Sequence, residues 1–308
     1  MAVASVPLAH GGSHVAGDSV VVWLLAALVA IVPVAVYLAG VARLRGNGRG
    51  WSNRRTASFL LGTALVGTAL SPAVDAGTAG GHMAQHLLLG MYAPIALVLG
   101  APLTLLLAAL PVPARRPAAV VLRARSLHVL SHVATAAALS VGGLYLLYLT
   151  PLYALSARSE SVHHLLHLHF VLAGYLYAWA VAGPDPAPRR PGTRTRIAVL
   201  VVAGGAHGYL AKLLYARAPD LPPGSGHTAA EIESAAQWMY YGGHVGELLL
   251  LVALFTAWYR RTGRTTRVAD VTQRTSEGGG RSMRVRHGCG ETSPQRGLTG
   301  GGVTRLVP

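Results

Sequence analysis

Two histidines, His82 and His86, stand four residues apart at the start of a long apolar run. The pattern recurs in "SVHHLLHLHF", where His163 and His167 are i, i+4, His164 and His167 are i, i+3, and His169 points to another face. His207 and His244 fall in the middle of two further apolar runs, and Glu247 follows His244 by three residues. Side chains three or four apart share a helix face. An i, i+4 imidazole pair is a natural metal chelate, and pairs on facing helices could complete a site. Imidazole is expensive in hydrocarbon, so coordination would offset its burial. Met83, Met91 and Met239 lie near the same ends of their runs, and thioether with imidazole suits copper, especially Cu(I). The single cysteine, Cys289, excludes a site built on paired thiolates.

The elements that must carry these residues are apolar blocks. Of 308 residues, 52% are hydrophobic and 12% charged, and the mean hydropathy is +0.44. Seven blocks stand out, at 20–42, 56–74, 83–110, 127–149, 162–182, 196–216 and 236–259. Each could cover a hydrocarbon core of about 30 Å as a helix, and none alternates as a barrel strand would. The expected fold is therefore all-α, with seven transmembrane helices. The net charge of +15 raises nucleic acid as a partner, but its placement argues for topology instead. Twenty-three of the 26 Lys and Arg fall on one side of a seven-span arrangement, which puts the N-terminus outside and the C-terminus in the cytoplasm. The basic cluster "RLRGNGRGWSNRR" follows the first block, the order of a retained span rather than a signal peptide. Residues 1–19 read as a short outer arm, 20–260 as one membrane domain and 261–308 as a disordered basic cytoplasmic tail. Pro94 and Pro102 should bend the third span or end it near Gly100.

With the spans oriented this way, four of them bring imidazoles to the outer half of the bilayer. At 1.5 Å per residue, His86 and His167 lie roughly 5–8 Å inside the boundary and His207 and His244 roughly 12–14 Å. The candidate metal ligands are His82, His86, His163, His164, His167, His207 and His244, with Glu247 as an orienting partner or proton relay. A bland reading competes for each. A histidine at the mouth of a helix is often only interfacial, as His82 or His163 alone could be. His128 and His132 have chelate spacing but the cytoplasmic side, beside Arg123 and Arg125. His10, His14 and His227 read as solvated, Lys212 as snorkelling, and Tyr175, Tyr177, Trp179, Trp238, Tyr240, Tyr241, Trp258 and Tyr259 as belt residues. His207 and His244 are mid-span, where function is the default. Besides copper handling, the residues leave open a b-type haem held by His207 and His244, a proton-coupled transporter using Glu247, and a membrane metalloenzyme.

"HMAQHLLLGMYAPIALVLGAP" and "HHLLHLHFVLAGYLYAWAVAGPDP" resemble the most characteristic segments of the multi-span CtaG family of bacterial cytochrome c oxidase assembly factors. "GGAHGYLAKLLY" and "QWMYYGGHVGELLLLVALFTAWYRR" resemble its last two spans, so the likeness covers roughly 20–260. It implies a non-enzymatic, multi-pass protein of the bacterial cell membrane that matures a haem-copper oxidase by delivering copper to its subunits. Membrane lipids and oxidase subunits are then the partners, and nucleic acid is not. Many family members carry an acid before the glutamine of the last span; here Ala236 precedes Gln237, so Glu247 or His244 would take that part.

Overall fold

The computed structural model describes residues 31–74, 77–111, 113–114, 116–117, 120, 124–186 and 190–281, with side chains up to Arg260. The described residues are helical and contain no strand. The chain divides into two units, Met1–Trp258 and Tyr259–Pro308. Helix α1 is described over 31–46. It is followed by α2 (Asn53–Leu70), α3 (Ala79–Leu99), α4 (Pro102–Ala109) and α5 (Arg125–Leu130). Then come α6 (Val133–Leu149), α7 (Leu152–Arg158), α8 (Glu160–Ala182), α9 (Thr193–Ala216) and α10 (Ala229–Arg281).

Among the described residues, four helices are long and apolar enough to cross a membrane: α3, α8, α9 and α10 over Ala229–Arg260. The bent pair α6–α7 makes a fifth if taken as one span. The expected block 127–149 is thus broken differently. Ser131 ends α5 and His132 caps α6, its Nδ1 accepting from Ala134 N at 3.3 Å, and an 80° bend follows at Thr150 and Pro151. Of the other two blocks, 20–42 is described only from residue 31, and 56–74 corresponds to α2, which opens on Arg54 and Arg55. The arm 1–19 and residues 282–308, with Cys289 and His287, lie outside the described residues. The tail expected from 261 begins as helix, since α10 continues through Arg281 with no proline to stop it.

Helix α3 ends at Leu99, where the prolines and Gly100 led one to expect a break. Its middle, Leu88–Tyr92, is a π turn, with Ala93 N donating to Leu88 O. Pro94 cannot donate to Gly90, and the wider turn absorbs that missing bond. The freed carbonyl of Gly90 packs on Gly174 of α8 so closely that a Cβ at 174 would collide with it. Between α3 and α4, Ala101 is left-handed, at φ 53°. Such a conformation costs of order 1–3 kcal/mol and must be held by its surroundings. Asp185 holds it: its carboxylate accepts from Leu103 N at 3.1 Å and Thr104 N at 2.8 Å, and from the Thr104 hydroxyl. Tyr37 of α1 adds a hydrogen bond to Gly100 O at 2.8 Å.

The core falls into clusters along the bundle. One gathers Met83, Leu89, Tyr148, Phe170, Leu210 and Met239, at the end where α3 and α8 begin and α9 finishes. A second, toward Asp185, gathers Val98, Tyr177, Trp179, Val181, Leu200 and Leu254. Tyr177 and Trp179 are therefore core residues, 6% and 4% exposed, and not belt residues. They sit on the face of α8 turned to the bundle, which hydropathy alone does not distinguish from the lipid face.

Candidate functional site

The histidines of α3 and α9 meet in the interior. His82 and His86 are each 6% exposed and His207 3%. The rings of His86 and His207 have centroids 6.2 Å apart. Neither nitrogen of His207, nor Nδ1 of His86, has a hydrogen-bond partner. Glu247 Oε1 lies 3.6 Å from His207 Nδ1, within ion-pair range but beyond a hydrogen bond. His86, His207, Glu247, Met91 and Tyr177 line one small cavity, of about 30 Å³, with mostly apolar walls. The Tyr177 hydroxyl is likewise buried without a partner.

Two glycines of α10 make this arrangement possible. A Cβ at Gly243 would overlap the His207 ring, and one at Gly246 would overlap the sulfur of Met91. Small residues let membrane helices approach closely, and here the space they free is filled by a histidine of α9 and a methionine of α3. Glu247 fits against the other small face, Gly204 of α9, where a Cβ would stand 2.5 Å from Oε2.

His167 of α8, also buried, is oriented by a residue the sequence reading passed over. Gln85 donates through Nε2 to Ala69 O at 3.1 Å, and its Oε1 lies 3.1 Å from His167 Nε2. An amide oxygen only accepts, so His167 Nε2 donates and Nδ1 keeps its lone pair. That Nδ1 is buried with no partner. The signal was present in "HMAQH", where Gln85 precedes His86, but only the contact across helices gives it meaning.

Where α7 ends and α8 begins, His82, His163, His227, Glu160, Arg158 and Tyr153 line a wider recess of about 470 Å³. His82 packs edge-on to Tyr153, with centroids 4.8 Å apart. His163 is half-buried, its ring 4.2 Å from that of His167. His227, expected to be solvated, has a side chain only 16% exposed, and its Nε2 lies 3.1 Å from the Tyr153 hydroxyl. The long loop before α10 folds back onto α7 and covers it.

Two expected ligands stand apart. His164 is exposed and pairs with Glu160 one turn earlier, at 3.4 Å. His244 is exposed and donates through Nδ1 to Tyr240 O at 2.6 Å. Glu247 was expected to serve His244 on its own helix, but its partner is His207 across the interface. Among the described residues, no three His, Cys, Asp or Glu side chains converge as a metal site, so the seven histidines do not form the single cluster expected of them. Lys212 sits over the ring of Tyr240, 5.2 Å from its centroid.

The chain is 33% identical over 279 residues to uncharacterized proteins of Mycobacterium bovis and Mycobacterium tuberculosis, covering 81% of this chain and 41% of theirs. It is 32% identical over 267 residues to one of Mycobacterium leprae, covering 79% and 40%. It thus spans about two fifths of the length of these curated relatives. No solved structure is significantly similar to it. The family model described as cytochrome c oxidase caa3 assembly factor matches residues 35–261, which include every candidate histidine and Glu247, and the chain belongs to that family.

Proposed function

We propose that this protein assists assembly of a haem-copper cytochrome c oxidase, and that it does so by handling copper through its buried imidazoles. The observation that carries the reading is the set of partnerless ring nitrogens on His82, His86, His167 and His207 in a member of an oxidase assembly family. Buried polar atoms in stable proteins are nearly always hydrogen-bonded. Lone pairs left open on four histidines suit an ion that visits and leaves. Copper is here cargo, and the role is not enzymatic.

The chain crosses the bacterial plasma membrane seven times, N-terminus outside and C-terminus cytoplasmic. Helices α1 and α2 are the two spans added to α3, α6–α7, α8, α9 and α10, and the one-sided distribution of Lys and Arg supports the orientation. The histidine end then faces outward, toward an oxidase subunit loaded from that side. A tag fused after Arg261 that is reached from outside the cell would reject this topology.

Deleting the gene lowers oxidase activity and oxidase copper content without lowering transcription of the oxidase subunits, and added copper partly restores both. Normal activity with normal copper content in the deletion strain refutes the assignment. A Soret band in the purified protein would favour haem instead.

A further inference from the structure

Copper that is passed on needs a place to rest, and the expected cluster is not that place. We infer that the resting place is the cavity between α3, α9 and α10, and that it holds monovalent copper through His86, His207 and the thioether of Met91, with Glu247 as a positioning residue for His207. This inference rests on the copper reading above and adds to it the oxidation state and the ligand set.

The geometry suits one ion. With metal–nitrogen bonds of about 2.0 Å and about 1.1 Å from a ring nitrogen to its centroid, two imidazoles opposed across one metal stand about 6.2 Å apart. The His86 and His207 centroids are 6.2 Å apart. Both side chains are more than nine-tenths buried and carry nitrogens without partners. Met91 lines the same cavity, and its sulfur is seated against Gly246, three residues from the glycine that admits the His207 ring.

Charge and softness select the oxidation state. Thioether and neutral imidazole favour Cu(I) over harder cations. One Glu247 carboxylate beside a monovalent ion leaves the apolar cavity neutral, whereas a divalent ion would leave net charge buried at high cost. Its donors are two imidazoles and one thioether, and Glu247 stands outside the ligand set. Access is at hand. His82 lines both the wide recess and a crevice it shares with Met83, Tyr148 and Tyr153. His82 is one turn from His86 in α3, so imidazole continues inward along that helix to the cavity.

The test titrates detergent-purified full-length protein anaerobically with Cu(I) against a chromogenic Cu(I) chelator, and reads the ligands by X-ray absorption. Wild type should bind Cu(I) with nitrogen and sulfur neighbours, and Zn(II) should not displace it. Met91→Leu should lose the sulfur neighbour and at least tenfold in affinity. His207→Ala should lose more than 100-fold. Glu247→Gln should lose about 10–100-fold, the range for outer partners of a ligand, and keep the sulfur signal. His128→Ala should match wild type. If wild type binds Cu(I) without sulfur, and Met91→Leu and His207→Ala bind equally well, this site is wrong while the copper reading stands. If Zn(II) competes on equal terms, the monovalent assignment fails. If wild type binds no copper in either oxidation state, the copper reading itself falls.

Discussion

Asp185 and His207 are both almost wholly buried, at 1% and 3% exposure, and chemically they are opposites. The Asp185 carboxylate is saturated by two backbone amides and a hydroxyl, and its backbone carbonyl accepts from Arg190 Nη2 at 2.7 Å. It ties the end of α8 to the start of α4 and secures the left-handed turn at Ala101. His207 has an acid near one nitrogen and a hydrogen bond on neither. Burial alone therefore does not separate scaffold from site. The open valence does: one buried polar group is finished by the fold, and the other is left for something outside it.

The contrast predicts opposite responses to apolar substitution. Asp185→Ala strands the donors of Leu103 and Thr104 and should destabilise by about 2–3 kcal/mol, read as a lower thermal midpoint in detergent, with copper affinity of the still-folded protein unchanged. A midpoint equal to wild type would mean that the Asp185 network is not structural. Next in size is Gly243→Val, which drives a side chain into the His207 ring. Overpacking of this kind costs about 1–3 kcal/mol, and copper binding should fall with it. Retained binding and an unshifted midpoint would show that α10 packs differently from the structure. His207→Leu should leave the midpoint within about 1 kcal/mol of wild type or raise it, because an unpaired polar group gives way to an apolar one, while copper binding is lost. A fall as large as that of Asp185→Ala would place His207 with the scaffold. Smallest of all, His164→Ala should change neither midpoint nor copper affinity, since its exposed pair with Glu160 contributes well under 1 kcal/mol. Loss of copper in that variant would return the site to the recess at the start of α8.

Some of this architecture is written in local chemistry. The end of α3 follows from Gly100 and Pro102, because Pro102 lacks the amide a continuing helix would need, whereas Pro94 is accommodated inside α3 by the π turn. The mid-span position of His207 follows from counting residues along an apolar run, and the segments around it carry the family likeness that the match over 35–261 bears out. The bend at Pro151 is also a proline event, yet the block 127–149 hid it, since hydropathy does not register a change of helix direction.

Spacing within a helix sets which side chains share a face. It does not set how far each helix is turned about its own axis against its neighbours. That rotation decided the site. Gly243 and Gly246 seat α10 against His207 and Met91, which turns Glu247 inward across the interface and leaves His244 on an exposed face. Before packing, His207 and His244 were equivalent, both imidazoles at similar depth in apolar runs. Close packing in the interior distinguishes them: the His207 ring is buried over Gly243 of α10, whereas the His244 ring lies against Gly208 of α9 on a face that stays exposed.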